Sequence, residues 1–404
     1  MNFFNVIVYV LLWNFATITF SVSSSQAQHQ KGCFLDNDEK KLSCVQVISY
    51  DNKTNDSVRS SNFTKEIVSL DLFNMSFNTL HEVASNFSKL RHHFKFKIKE
   101  LKISNSSIEN LGYYFHPILG YLHRLDLRRN NLKGLSYYLA VNLNKIHSIY
   151  LSNNPWDCSM DLEWVLALNS SSVKDLNELT CRGENYPGKP LTAIATFQHD
   201  LQEQCPDKCD CSLPNVVQDP GTRLLQPIVA LDCSEVELSA FPENLPNYTT
   251  ILRLEGNEIE DLAPLKKNLA YKTVQDLYLD NNRIKSISIL EGTYWLSHFR
   301  VLSLIGNKLT QLPTYALENA LEQNPNMPNA VRIYFGDNPW RCDCAFVPGF
   351  QDMLRKYEHI IQDIEEVQCS YVEGDENSLN PVCNFTPRYT LQNSTIDVLF
   401  FTDS

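Results

Sequence analysis

The chain is poor in glycine, with thirteen residues scattered through 404. None of them gathers into a loop that could wrap backbone N–H groups around a phosphate. His-Glu-x-x-His and Gly-x-Ser-x-Gly are both missing, which removes the helix-borne zinc protease site and the nucleophile turn of the hydrolases. Ten histidines include the pair His92-His93, but no carboxylate or cysteine stands at ligand-like spacing beside it, so it reads as a solvated loop. No catalytic residue, metal or cofactor is expected, and the chain does not read as an enzyme. An excess of positive charge is also lacking. The formal net charge of −12 argues against a nucleic-acid partner. Long hydrophobic runs are absent as well. Residues 6–20 are mostly apolar but shorter than the roughly 20 residues that cross a bilayer. Residues 396–401 contain Asp397 and are shorter still, so no membrane span is expected.

Residues 6–20 instead suit an export signal. They lead into the small, polar segment 21–28, with a cleavage site near Ala27. The departure is at residues 1–5, which carry no Lys or Arg. Twelve cysteines, none of them in the leader, suit an oxidising compartment. Ten Asn-x-Ser/Thr acceptor sites stand at Asn52, Asn55, Asn62, Asn74, Asn86, Asn105, Asn169, Asn247, Asn384 and Asn393. Together these features describe a secreted glycoprotein.

A repeated phrase dominates what is present. Leu-x-x-Leu-x-Leu-x-x-Asn-x-Leu fits four times from Ile67, Ile98, Leu122 and Ile146, and four times from Thr249, Val274, Phe299 and Ala330. The Asn position holds Met75, Ser106, Asn130 and Asn154, then Asn257, Asn282, Asn307 and Asn338. A strand's alternation sends the two leucines of Leu-x-Leu to one side and the residues around them to the other. One unit cannot bury its leucines alone, so neighbours stack and share a core. An amide at the Asn position both donates and accepts where the backbone leaves the strand. Methionine cannot do this and serine only partly can, so the first two repeats are expected to be irregular.

Each series ends in a related phrase, Asn-Pro-Trp-Asp-Cys at 154–158 and Asn-Pro-Trp-Arg-Cys-Asp-Cys at 338–344. Cys205-Pro-Asp-Lys-Cys209-Asp-Cys211 with Cys233 resembles the N-terminal cysteine flank of extracellular leucine-rich-repeat proteins. Cys342-x-Cys344 with Cys369 and Cys383 resembles their C-terminal flank. A C-terminal flank running into an N-terminal flank resembles Toll ectodomains and Slit-type tandem arrays. Among small secreted versions, the chain resembles the insect halfway and singed wings 2 group, which implies a role in ecdysone-dependent development. The resemblance implies first-to-third and second-to-fourth pairing: Cys205–Cys211, Cys209–Cys233, Cys342–Cys369 and Cys344–Cys383. The first series departs from the pattern, with Met160 where a second flank cysteine would stand. That leaves Cys158–Cys181, and Cys33–Cys44 as a small hairpin clasp. Four thiolates could also hold zinc, but the leader, the even count and the flank motif favour disulfides.

The expected fold class is α+β or mainly β: two tandem leucine-rich-repeat solenoids, each with a parallel concave sheet and disulfide caps. The expected boundaries are a signal peptide at 1–27 and a first module at 28–204, with its flank at about 155–204. A second module follows at 205–385, with flanks at 205–247 and 338–385, and then a tail at 386–404.

The expected binding surface is the concave face of the second module: Ile251, Arg253, Glu255, Asp276, Tyr278, Asp280, Val301, Ser303, Ile305, Arg332 and Tyr334. Its column Arg253, Tyr278, Ser303, Tyr334 mixes aromatic and charged groups as interface anchors do. In the first module the matching column is Asp71, Lys102, Asp126 and Tyr150, and glycans on Asn74 and Asn105 would crowd it. A basic run, Lys89, Arg91, His92, His93, Lys95, Lys97, Lys99 and Lys102, would place cations along one face of a strand. It is either an ordinary solvated face or a site for an acidic glycan. The expected partner is an extracellular protein ligand or receptor. The chain then acts either as a signalling or developmental modulator or as a structural matrix or cell-surface bridging glycoprotein.

Overall fold

Alternation along the Leu-x-Leu phrases sets the architecture. The computed structural model describes residues 8–12, 16–21, 32–36, 40–45, 66–74, 95–111, 121–343 and 346–372. Two compact units divide the chain, Met1–His199 and Asp200–Ser404, with the division a few residues before Cys205.

In the second unit a hairpin, β9 (Asp210–Gln218) with β10 (Leu225–Asp232), begins a six-stranded sheet. It continues through β11 (Thr249–Arg253), β12 (Asp276–Tyr278), β13 (Val301–Ser303) and β14 (Arg332–Tyr334). From β10 onward the strands are parallel, one repeat per strand, with Ile251, Asp276, Val301 and Arg332 side by side. Leu252, Leu254, Leu277, Leu279, Leu302, Leu304, Ile333 and Phe335 all point into one buried core. Val331, rather than Ala330, fills the first core position of the fourth repeat, and Ala330 is exposed. The long connection through helix Thr314–Gln323 brings the chain into the strand one residue late.

Both ends of this core are covered. At the start, Cys205 is bonded to Cys211 and Cys209 to Cys233. At the far end, helix Val347–Lys356 buries Val347, Phe350, Met353 and Leu354 at helical spacing. Trp340 is fully buried beneath it, its ring 5.0 Å from that of Phe350. A short parallel pair, β15 (Trp340–Cys342) with β16 (Cys369–Val372), closes the unit. Cys369 is disulfide-bonded. The side chain of its expected partner Cys342, and the expected Cys344–Cys383 bond, lie outside the described set.

The first unit carries an eight-stranded sheet: β1 (Val8–Leu12), β2 (Ala16–Ser21), β3 (Gly32–Asp36), β4 (Lys41–Val45), β5 (Glu66–Phe73), β6 (Lys95–Ser104), β7 (Arg124–Asp126) and β8 (Ser148–Tyr150). β4 through β8 are parallel. The chain described is uncleaved, and β1 and β2 lie within the expected leader. Cys33 and Cys44 face each other across the β3–β4 hairpin, and their side chains lie outside the described set. Cys158 is bonded to Cys181.

Six buried asparagines lace the repeats together. Asn282 donates to the Leu254 carbonyl of the repeat before it (2.8 Å) and to Leu279 of its own (3.1 Å), while its oxygen accepts from Ile259 N–H (2.9 Å). Asn257, Asn307 and Asn338 repeat this pattern along the second unit. Asn130 and Asn154 do so in the first. The expected irregularity falls where the amide is missing. Ser106 bonds the nearby Ser104 carbonyl (3.1 Å), and Met75 lies outside the described residues. There β5 and β6 pair over seven Cα partners, against three for β6–β7 and β7–β8, so a longer backbone ladder takes over.

Substituting Asn282→Ala removes one of two donors from the Leu254 and Leu279 carbonyls, which keep their bonds from Asn257 and Asn307, and leaves the Ile259 N–H unpaired, at about 1–3 kcal/mol. The unit should melt about 5–10 °C lower for a loss of roughly 2–3 kcal/mol. Thermal unfolding followed by circular dichroism checks this, and an unchanged midpoint would overturn the account of the asparagine lacing.

Candidate functional site

The residues flanking the core leucines of the second unit form three rows across the strands. Ile251, Asp276, Val301 and Arg332 make the first, and Arg253, Tyr278, Ser303 and Tyr334 the second. Glu255, Asp280 and Ile305 follow one alternation step further on. All eleven expected residues therefore fall on one face, opposite the leucines.

They are not equally available. Ser303 is only 2% exposed and Asp276 8%. Alternation gives a side chain's direction and not its depth, and both are short residues overtopped by longer neighbours. Asp276 is held by Arg300 through two bonds of 2.9 and 2.6 Å. The Ser303 hydroxyl donates to Asp280. These two act from beneath the surface. The reachable groups are the half-exposed ones: Ile251, Arg253, Glu255, Tyr278, Asp280, Val301, Ile305, Arg332 and Tyr334. At the centre the Arg253 guanidinium lies 4.2 Å from the Tyr278 ring centroid and 2.8 Å from Glu255. That arrangement presents a stiffened cation and a ring together, with half-exposed aliphatic groups on either side. Burial raises the Tyr278 phenol, with Asp276 adding to it.

Asp280 is the one strained charge on this face. Burial pushes its carboxyl above the ordinary range, against the pull of hydrogen bonds from Ser303 and from Ile305 N–H (3.0 Å). A carboxyl raised on folding stabilises the fold below the ordinary carboxylate range. That contribution is lost as pH rises through the folded value.

Two further carboxylates escaped the sequence reading. Asp363 accepts from Phe335 N–H (3.0 Å) and Gly336 N–H (2.6 Å), and so pairs the backbone just beyond the last strand. Asp175 does the same at the end of the first unit, taking Leu151 N–H (2.9 Å) and Ser152 N–H (2.7 Å). Burial raises the Asp363 carboxyl despite these bonds. The signal was there to be read: Asp175-Leu-Asn-Glu-Leu-Thr-Cys181 and Asp363-Ile-Glu-Glu-Val-Gln-Cys369 share one pattern. Gly336 is part of the same closure. A Cβ there would stand 2.7 Å from Glu366 Cβ and 2.9 Å from Asp363 Oδ2.

On the first unit's face Asp71 is paired with Lys102 (3.2 Å) and Asp126 with Arg128 (2.7 Å). The Tyr150 ring is taken by Arg124 and Arg128 at 4.8 and 4.9 Å. Its column is largely occupied with itself. Asn74 and Asn105 both lie in positive-φ turns at strand exits, next to each other, since Asn74 N–H donates to the Ser104 carbonyl (3.1 Å). Asn169 and Asn247 are exposed, and the other acceptor sites lie outside the described residues. Of the basic run, Lys97 and Lys99 are exposed on β6. A register shift against β5 interrupts the simple alternation, and Glu100 is exposed beside them. Lys89, Arg91, His92 and His93 lie outside the described residues. Among the described residues no group of three metal-binding side chains occurs, and no helix is long and apolar enough to cross a membrane.

Leucine rows on a parallel sheet, an asparagine at each strand exit and disulfide-closed ends define a leucine-rich-repeat protein of the extracellular, cysteine-flanked kind. Its homologues are singed wings 2 and halfway. The chain is 33% identical to Drosophila melanogaster singed wings 2 over 74% of its own length and 60% of that protein's. To halfway of Drosophila pseudoobscura pseudoobscura it is 27% identical over 80% of its length and 56% of that protein's. The chain thus spans a little over half the length of these curated relatives. No family model matches the chain. A solved structure of the Drosophila Toll–Spatzle complex is similar over 75% of this chain and 50% of that one, at 18% identity and a TM-score of 0.36.

The two raised carboxyls give opposite expectations. Both bonds to Asp280 end on Oδ1, so Asp280→Asn keeps its acceptor and sheds a partly desolvated charge. It should raise the melting point at pH 7, with the gain shrinking toward pH 4. The bonds to Asp363 use both oxygens, so Asp363→Asn loses an acceptor and should cost about 1–3 kcal/mol. Thermal melts of both variants at pH 4 and pH 7 separate the cases. Equal shifts in the same direction would refute the assignment.

Proposed function

We propose that this chain is a secreted recognition glycoprotein built of two tandem, disulfide-capped leucine-rich-repeat solenoids. The inner face of the second solenoid binds an extracellular protein. The observation that carries this reading is the Arg253–Tyr278 stack, set among half-exposed Ile251, Val301, Ile305 and Tyr334 on a rigid sheet. Aromatic and arginine anchors beside aliphatic groups are what interface centres use, and a preordered sheet lowers the entropy cost of docking. Retaining the partly desolvated Asp280 charge on that face, where asparagine would serve the fold, supports a role in recognition. The paired disulfides favour an oxidising, extracellular setting. Asn74 and Asn105, if glycosylated, crowd the strand exits of the first unit's sheet. Similarity to singed wings 2 and halfway favours a signalling or developmental modulator over a structural bridging component.

Affinity capture from living tissue tests this with the secreted, glycosylated chain, in parallel with a Tyr278→Ala/Tyr334→Ala variant. One partner should be recovered in near-stoichiometric amount. Losing two anchors should weaken it about 30-fold or more, as truncated hot spots do. Undiminished capture by a well-folded variant moves the binding surface to the edges or caps. Many matrix components recovered in equal amounts makes the protein structural.

A further inference from the structure

The first unit gathers exposed basic residues that are far apart in sequence. β6, β7 and β8 lie side by side, and His123 N–H donates to the Lys99 carbonyl (2.7 Å) and Ser148 N–H to the His123 carbonyl (3.0 Å). These bonds bring Lys99, midway along β6, level with His123 and His147, which stand just before β7 and β8, and all three side chains are exposed. Arg124 is exposed one residue further in, and Lys97 and Lys145 one turn of the chain before. Lys145 bonds the Asn142 side chain (2.8 Å) and keeps its charge uncompensated by a carboxylate among the described residues. Arg124 rests over Tyr150.

Among the described residues, acids near this seam are few. Glu100 is exposed beside Arg124 and is the acid that faces it directly. Asp126 is held by Arg128, Asp71 by Lys102, and Asp175 by backbone N–H groups. A chain with a net charge of −12 therefore concentrates positive charge along one narrow line.

We propose that this seam binds a linear sulfated polysaccharide, a reading that rests on the extracellular location argued above. Adjacent strands step about 4.8 Å apart, so Lys99, Arg124 and Lys145, one cation from each of three neighbouring repeats, step across the strands, suited to a thin polyanion lying over them. The net negative charge repels a broad anionic surface such as a membrane or a duplex, whereas a slender chain meets the seam alone. Tyr150 is covered by two guanidinium groups, so its ring is not free to stack a nucleic-acid base.

The test uses the full secreted chain and fluorescein-labelled heparin at physiological ionic strength, roughly 0.15 M. Binding should weaken about tenfold or more in Lys99→Glu/Arg124→Glu. A milder Lys99→Ala/Arg124→Ala/Lys145→Ala variant should lose less, which guards against misfolding of the first. Lys266→Glu/Lys267→Glu, an exposed basic pair in the second unit, should bind as the wild type does. Absence of wild-type binding, an equal loss in the Lys266/Lys267 control, or equal binding to desulfated heparin, phosphatidylserine vesicles or single-stranded DNA overturns the proposal. Secretion into the medium is scored separately. Heparin binding by a chain that never leaves the cell refutes the extracellular reading and leaves the seam's chemistry standing.

Discussion

A buried amide that serves two neighbours at once is the interaction on which the rest of this molecule depends. Each asparagine joins the carbonyl of the preceding repeat, the carbonyl of its own, and an N–H one repeat back. A turn leaving a three-residue strand would otherwise strand those groups in an apolar interior, where an unpaired polar group is costly. With the amides in place the strands can be very short, the repeats can stay close to 25 residues, and the leucines can stack in register. Where the amide is missing, in the first unit, the backbone ladder between β5 and β6 lengthens instead. Satisfying the backbone is the invariant, and the side chain that does so is one of two solutions.

The exposed face inherits its order from that regularity. Because each strand repeats the same register, residues distant in sequence come into rows: Arg253 beside Tyr278, and Lys99 beside His123 and His147. The first of these rows lies on the sheet itself, and the second on β6 and the residues leading directly into β7 and β8. Local side-chain chemistry then decides what each row can offer. The first unit pairs most of its inner charges internally and leaves positive charge exposed on β6 and at the start of β7. The second holds its acids and arginines around a central aromatic stack.

Much of this was legible in the residues themselves. The leucine and asparagine spacing located the strand of each repeat, though not β10, and Ala330 slipped by one residue after the long connection before it. The Cys-Pro-x-x-Cys-x-Cys phrase led to the two bonded pairs at the start of the second unit. Depth was not legible. Strict alternation treats Ser303 and Tyr278 alike, although one is buried and the other half-exposed, because side-chain length and the reach of Asp280 and Arg300 decide coverage. The basic seam was also hidden, since it joins Lys99 to His123 and His147 through register rather than proximity in sequence. Asp175 and Asp363 were hidden for a different reason: their shared phrase follows the last strand of each series and lies outside the leucine and asparagine period.

The closing carboxylates carry one more implication. Asp175 and Asp363 recognise consecutive main-chain N–H groups, which every non-proline residue supplies, and make no demand on the side chains of the strand they finish. Such a terminator is portable. It can seal a stack of any length, so gain or loss of whole repeats can proceed upstream without redesigning the ending.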